Sequence, residues 1–107
     1  MEYYQLAADG GVAAGWRSIG FLYQYGLGVE LDYGKAYDCF QRAAEQGDLQ
    51  AMFNLGEYFR EGKAQEKDLD KAAEWYRKAL DAGYQPKEEE QEILKAVLGD
   101  SYTQMLE

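Results

Sequence analysis

Glu57, Arg60 and Glu61 are the densest grouping of chemically capable side chains in this 107-residue sequence. The carboxylates stand four positions apart, one helical turn, with a guanidinium between them. Two carboxylates can divide acid and base duties when their surroundings push their pKa values apart. A chain with 20 Asp and Glu forms such pairs by composition alone, so the trio reads better as a polar recognition strip. Cys39 is the sole thiol, and a nucleophile needs a base beside it. The sequence holds no histidine, which removes the commonest neutral-pH base and the commonest metal ligand. Gly26 and Gly28 follow no strand and precede no Gly-Lys-Ser/Thr, so they read as turn glycines rather than a phosphate loop. The acidic run Glu88, Glu89, Glu90 and Glu92 could dock a basic partner. It also suits the first turns of a helix, where carboxylates favour the dipole by about 0.3–1 kcal/mol each. These residues give no catalytic, metal or cofactor site, and the expectation is that the chain is not an enzyme.

The composition narrows the partners. A net charge of −9 opposes binding to nucleic acid and to anionic membrane surfaces, and it admits a basic protein. A 47% apolar share with ten tyrosines supplies a core, and the single proline leaves long stretches free to be helical. No apolar run approaches the roughly 20 residues that span a bilayer, and residues 1–5 lack the pattern of a signal peptide. Cytoplasmic placement is the default expectation, with periplasmic and secreted settings left open.

The elements that would position these side chains come from a repeat. Displaced by 36 residues, the chain falls onto itself without a gap: Gly11, Gly47 and Gly83 align, as do Ala7, Ala43 and Ala79. Gly20 meets Gly56, Gly26 meets Gly62, Asp32 meets Asp68, and Lys35-Ala36 meets Lys71-Ala72. Tyr4, Phe40 and Tyr76 share a column, and Cys39 shares one with Trp75 and Tyr3, which favours a buried role for the thiol. Spacings of three and four predict two helices per unit, near 12–25 and 33–46, then 48–61 and 69–82. Asp48 and Asp68 are placed as N-caps, and Gly62 and Gly83 as stops. Mid-helix Gly20 and Gly56 point to close approach of the partner helix, with Ala36, Ala43, Ala72 and Ala79 as the facing small surface. Residues 1–11 read as a partial repeat, 12–47 and 48–83 as full repeats, and 84–107 as one terminal capping helix with Pro86 in its first turn.

These columns resemble the Sel-one-like repeat family, whose pattern is matched by residues 15–47 through Ile19-Gly20, Tyr23, Gly26, Gly28-Val29, Asp32, Lys35-Ala36, Ala43-Ala44 and Gly47. Residues 51–83 match again through Ala51, Leu55-Gly56, Phe59, Gly62, Asp68, Lys71-Ala72, Trp75, Ala79 and Gly83. Gly62-Lys63-Ala64-Gln65 departs from the family's G-x-G-V, so this linker is expected to take a different conformation, and Cys39 stands at the family's tryptophan position. The resemblance implies an all-α, right-handed α-α superhelix of about six helices in antiparallel pairs, akin to tetratricopeptide repeats. It also implies an adaptor or scaffold that binds a peptide or protein on its concave face. By the same similarity, the groove positions are Arg17, Phe21, Gln24 and Tyr25 in the first full unit, beside Ala14 and Ser18. In the second they are Gln50, Phe53, Asn54, Glu57, Arg60 and Glu61. Two alternatives stay open: an inhibitor or immunity-type protein that blocks a basic enzyme, and a structural piece of a longer solenoid. The last would self-associate through an apolar N-terminal end at Tyr3, Tyr4 and Leu6.

Overall fold

The computed structural model describes residues 13–105, which form six helices and, among these residues, no strand. They are α1 (Ala13–Tyr25), α2 (Tyr33–Glu45), α3 (Leu49–Glu61), α4 (Leu69–Asp81), α5 (Glu88–Leu98) and α6 (Asp100–Met105). The partial repeat at 1–11 and the proposed self-association through Tyr3, Tyr4 and Leu6 lie outside the described residues.

The three helices α2, α3 and α4 begin where the sequence supplies an aspartate cap. Asp32, Asp48 and Asp68 stand in extended backbone, and their carboxylates accept the backbone N–H groups of Lys35, Ala51 and Lys71. α1 and α2 form one hairpin and α3 and α4 the next; α2 packs on α3, α4 on α5, and α5 on α6. The repeated glycines mark the tightest points. A Cβ at Gly20 would lie 2.6 Å from the Phe40 ring, and one at Gly56 would lie 2.6 Å from the Tyr76 ring. The intimate contact is therefore an aromatic ring laid on bare backbone. The facing alanines, Ala36, Ala43, Ala72 and Ala79, are all fully buried around it. The repeated lysines have a matching use: Lys35 lies 5.5 Å from the Tyr23 ring centre, and Lys71 lies 5.5 Å from that of Phe59.

Two expectations need correction. The second linker keeps the first one's path. Gly26 and Gly62 have φ of 65° and 74°, Gly28 has 75°, and Ala64 takes the same left-handed position at 68°. The hydrogen bonds also match: Leu27 N–H to Leu22 O at 2.9 Å has its counterpart in Lys63 N–H to Tyr58 O at 2.9 Å, and Asp32 N–H to Tyr23 O in Asp68 N–H to Phe59 O. The ends of the linker, fixed by these bonds, dictate its backbone, and alanine accepts the strain. The terminal segment is also not one helix. Gly99, at φ 58° and ψ −133°, breaks it into α5 and α6, and Pro86 precedes α5 instead of entering its first turn. Leu94, Leu98 and Tyr102 from both pieces are buried in one cluster with Phe53, Phe59 and Tyr76 of the second hairpin. Burying side chains of this size contributes about 1.5–3 kcal/mol each.

Candidate functional site: the face of α1, α3 and α5

The first helix of each hairpin and α5 present one common face, and two depressions adjoin along it. One, of about 530 Å³, is lined by Arg17, Phe21, Gln24 and Tyr25 of α1, Gln50 and Asn54 of α3, and Lys87 at the start of α5. The other, of about 260 Å³, is lined by Gln24, Tyr25, Asn54, Glu57, Glu61 and Lys63, with Phe53, Tyr58, Glu90 and Ile93. Gln24, Tyr25 and Asn54 belong to both, so the depressions form a single groove over α3. A hollow of about 570 Å³ lies elsewhere, beside the start of α2 and the α3–α4 linker. Of its charged residues, Asp32 caps α2 and Lys35 and Lys71 stack on rings, which leaves Asp38.

The groove's side chains are braced from below. Asp48 caps α3 through one oxygen, and its other oxygen accepts Arg17 Nη1 at 2.7 Å, tying α1 to the head of α3. Phe21 stacks on Tyr25 at 6.2 Å and meets Phe40 edge-on at 5.3 Å. Gln50 Nε2 donates to Asn54 Oδ1 at 3.2 Å, while the buried Asn54 Nδ2 has no partner among the described residues. Arg60 donates through Nη2 to Glu57 and through Nε to the Tyr76 hydroxyl at 3.2 Å, with Glu61 at 3.5 Å. Burial raises the Glu57 carboxyl above its ordinary 4.5, outweighing the opposing bonds from Arg60 and Tyr76. Desolvation pulls the Arg60 guanidinium down, but its bonds to Glu57 and Tyr76 win and hold it above its ordinary value. Burial likewise raises the Tyr76 and Tyr58 hydroxyls, so both stay protonated.

Most of the residues placed on this face by alignment come together there: Arg17, Phe21, Gln24, Tyr25, Gln50, Asn54, Glu57 and Glu61 all line the groove. Arg60 lines neither depression and serves as a brace beneath Glu57 and Glu61. Phe53 is a correction. It is 2% exposed, stacked on Tyr84 at 4.8 Å and packed on Tyr76 at 4.9 Å, so it belongs to the core and offers a partner almost no surface. Its position looked free because Tyr84 arrives from beyond the repeat. Lys87 and Ile93 were missed, and Glu90, read only as part of the acidic run, was not placed in this groove. They lie past the last repeated column, yet a further displacement by 36 would have set a third helix of the α1 and α3 kind there. Cys39 is buried beside Ile19. Burial, with Asp38 adding and Arg42 opposing, pushes its thiol up to about 11, so it is not a thiolate at neutral pH. Glu90 accepts the Lys87 N–H and the Tyr84 hydroxyl, each at 2.9 Å, which employs part of the acidic run in starting α5.

Comparison with known proteins agrees with this architecture. The family model described as Sel1 repeat matches residues 1–12, 17–48 and 49–84. The chain belongs to the Sel1 repeat family. The crystal structure of a Sel1 repeat protein from Oxalobacter formigenes superimposes with a TM-score of 0.78 at 32% identity, covering 89% of this chain and 69% of that one. The Escherichia coli protective antigen c5321, which displays an SLR fold, superimposes with a TM-score of 0.74 at 32% identity, over 78% of this chain and 18% of that one. The solenoid expected from the resemblance is thus the fold. Among curated relatives, the ERAD-associated E3 ubiquitin-protein ligase component HRD3B of Arabidopsis thaliana is 40% identical over 62 residues, 58% of this chain and 10% of that protein. A Sel1-like repeat-containing protein of Schizosaccharomyces pombe is 44% identical over 69 residues, 64% of this chain and 10% of that protein. This Sel1 repeat chain spans about a tenth of the length of these relatives. Sel1 repeat proteins are typically protein-interaction scaffolds and generally not catalysts.

Proposed function

We propose that this Sel1 repeat domain binds a peptide or protein segment in the groove formed by α1, α3 and α5, as an adaptor without catalytic activity. The observation that carries this reading is the convergence of eight side chains from two repeats on one continuous groove. None of them belongs to the repeated core columns, so the fold does not demand their identities. Tyr25, 61% exposed, stands in the middle of that groove, and an exposed aromatic of this kind is a common interface anchor. The relative HRD3B, a ligase component by name, supports the same class of role.

The test is affinity capture from a native lysate with wild type and with the triple variant Arg17→Glu/Tyr25→Ala/Asn54→Arg, after circular dichroism shows equal folding. The expected outcome is a partner retained by wild type and lost by the variant. Equal capture by both proteins would move the working surface elsewhere.

A further inference from the structure

The wider half of the groove has a chemistry opposite to that of the whole chain. In a molecule of net charge −9, its lining holds Arg17 and Lys87 and no carboxylate. Among the described residues, Lys87 makes no ion pair, and Arg17 spends one nitrogen on Asp48. The amides of Gln24, Gln50 and Asn54 share the lining with these cations, with Asn54 Nδ2 unpartnered. Two cations and the unpartnered Asn54 Nδ2 donor therefore share a lining without a carboxylate, while Phe21 and Tyr25 supply a stacked apolar wall. The narrower half is the reverse: Glu57, Glu61 and Glu90 line it against the one cation Lys63.

From this segregation we infer that the groove takes an extended segment of a partner protein through an acidic side chain, held between Arg17 and Lys87. This rests on the concave-face reading above. The aromatic wall takes an apolar side chain next to the acidic one, and the amides of Gln50 and Asn54 serve the segment's backbone carbonyls. Arg17 comes from α1 and Lys87 from the start of α5, with Gln50 and Asn54 of α3 in the same lining, so this half of the groove draws on all three layers of the solenoid. The carboxylates of the narrower half reject an acidic residue there, which fixes where along the groove the anion sits. The net charge alone would have pointed to a basic partner; the lining of this half points to an acidic one.

The experiment is selection from a random peptide library displayed on phage, against wild type, Lys87→Glu and Asn54→Arg, each checked for an unchanged melting curve. Wild-type binders are expected to be enriched in Asp or Glu at one position beside an aromatic or aliphatic residue. A representative amidated peptide should lose at least about tenfold in affinity on Lys87→Glu, and again when its acidic residue becomes the amide, as loss of a close charge pair requires. Binders rich in Lys or Arg that are lost on Asn54→Arg would overturn this inference while sparing the concave face. Binders of any composition that hold Asn54→Arg unchanged would overturn both. Binding only as a free acid, with the acidic side chain dispensable, would replace the side chain by a chain terminus and overturn the assignment.

Discussion

The two full repeats share the contacts that close each hairpin and diverge in what they show to the groove. Both lay an aromatic ring on a bare glycine, Phe40 on Gly20 and Tyr76 on Gly56. Both cap the second helix with an aspartate and stack a lysine on an aromatic. Above the ring they part. In the first repeat Phe21 rests on Phe40, an apolar pair. In the second the corresponding positions are Glu57 and Tyr76, joined through Arg60 into a polar network. The same scaffold thus tolerates either an aromatic or a charged floor, which is how a repeat keeps its fold while changing what it binds.

The glycine contact is where this comparison breaks most readily. Gly20→Leu and Gly56→Leu should each lower the unfolding free energy by about 2–3 kcal/mol, since both drive a side chain into a ring. Urea denaturation would check this, and a near-neutral result at either site would show that close approach does not hold that hairpin. Next in size is Tyr76→Phe, expected to cost about 1–2 kcal/mol because Arg60 Nε loses its acceptor. A double-mutant cycle with Glu57→Gln should show coupling above about 0.5 kcal/mol; strict additivity would dissolve the network.

Ala64→Gly should gain about 0.5–1 kcal/mol, because relief of a left-handed alanine exceeds the entropic cost of glycine. Gly28→Ala should lose a similar amount in the first repeat. Thermal melts of both would show opposite signs if the linkers share one backbone path. The smallest effect is pH dependence at Glu57. Its folded carboxyl binds its proton more tightly than the unfolded one, so its stabilising contribution is complete below 4.5. That contribution declines as pH rises from there through the folded value. Wild type should therefore lose stability relative to Glu57→Gln as pH rises from 4.5 through the raised folded value. A constant difference would place Glu57 in water.

Much of this was legible because the 36-residue period repeats whole hairpins, so the Asp32 and Asp68 caps, the stops and the tight glycines were each visible at least twice. Legibility failed where the repeat ends. Leu94, Leu98 and Tyr102 keep four-residue spacing straight through Gly99, so periodicity hid the break between α5 and α6. Phe53 looked like a groove residue because nothing within the repeat predicted Tyr84 stacking on it. Ala64 looked like a departure because residue type, not the hydrogen bonds at the linker's ends, was all the sequence offered. The groove positions followed from alignment; their charge segregation needed Lys87, which lies beyond the two full repeats that were aligned.

The most direct measurement is hydrogen–deuterium exchange of the domain with and without the partner recovered by affinity capture. The account predicts new protection in the first helix of each repeat and in α5, at segments bearing Arg17, Gln24, Asn54 and Lys87, with α2 and α4 unchanged. Protection confined to α2 and α4 would contradict it and place the working surface on the opposite side of the solenoid.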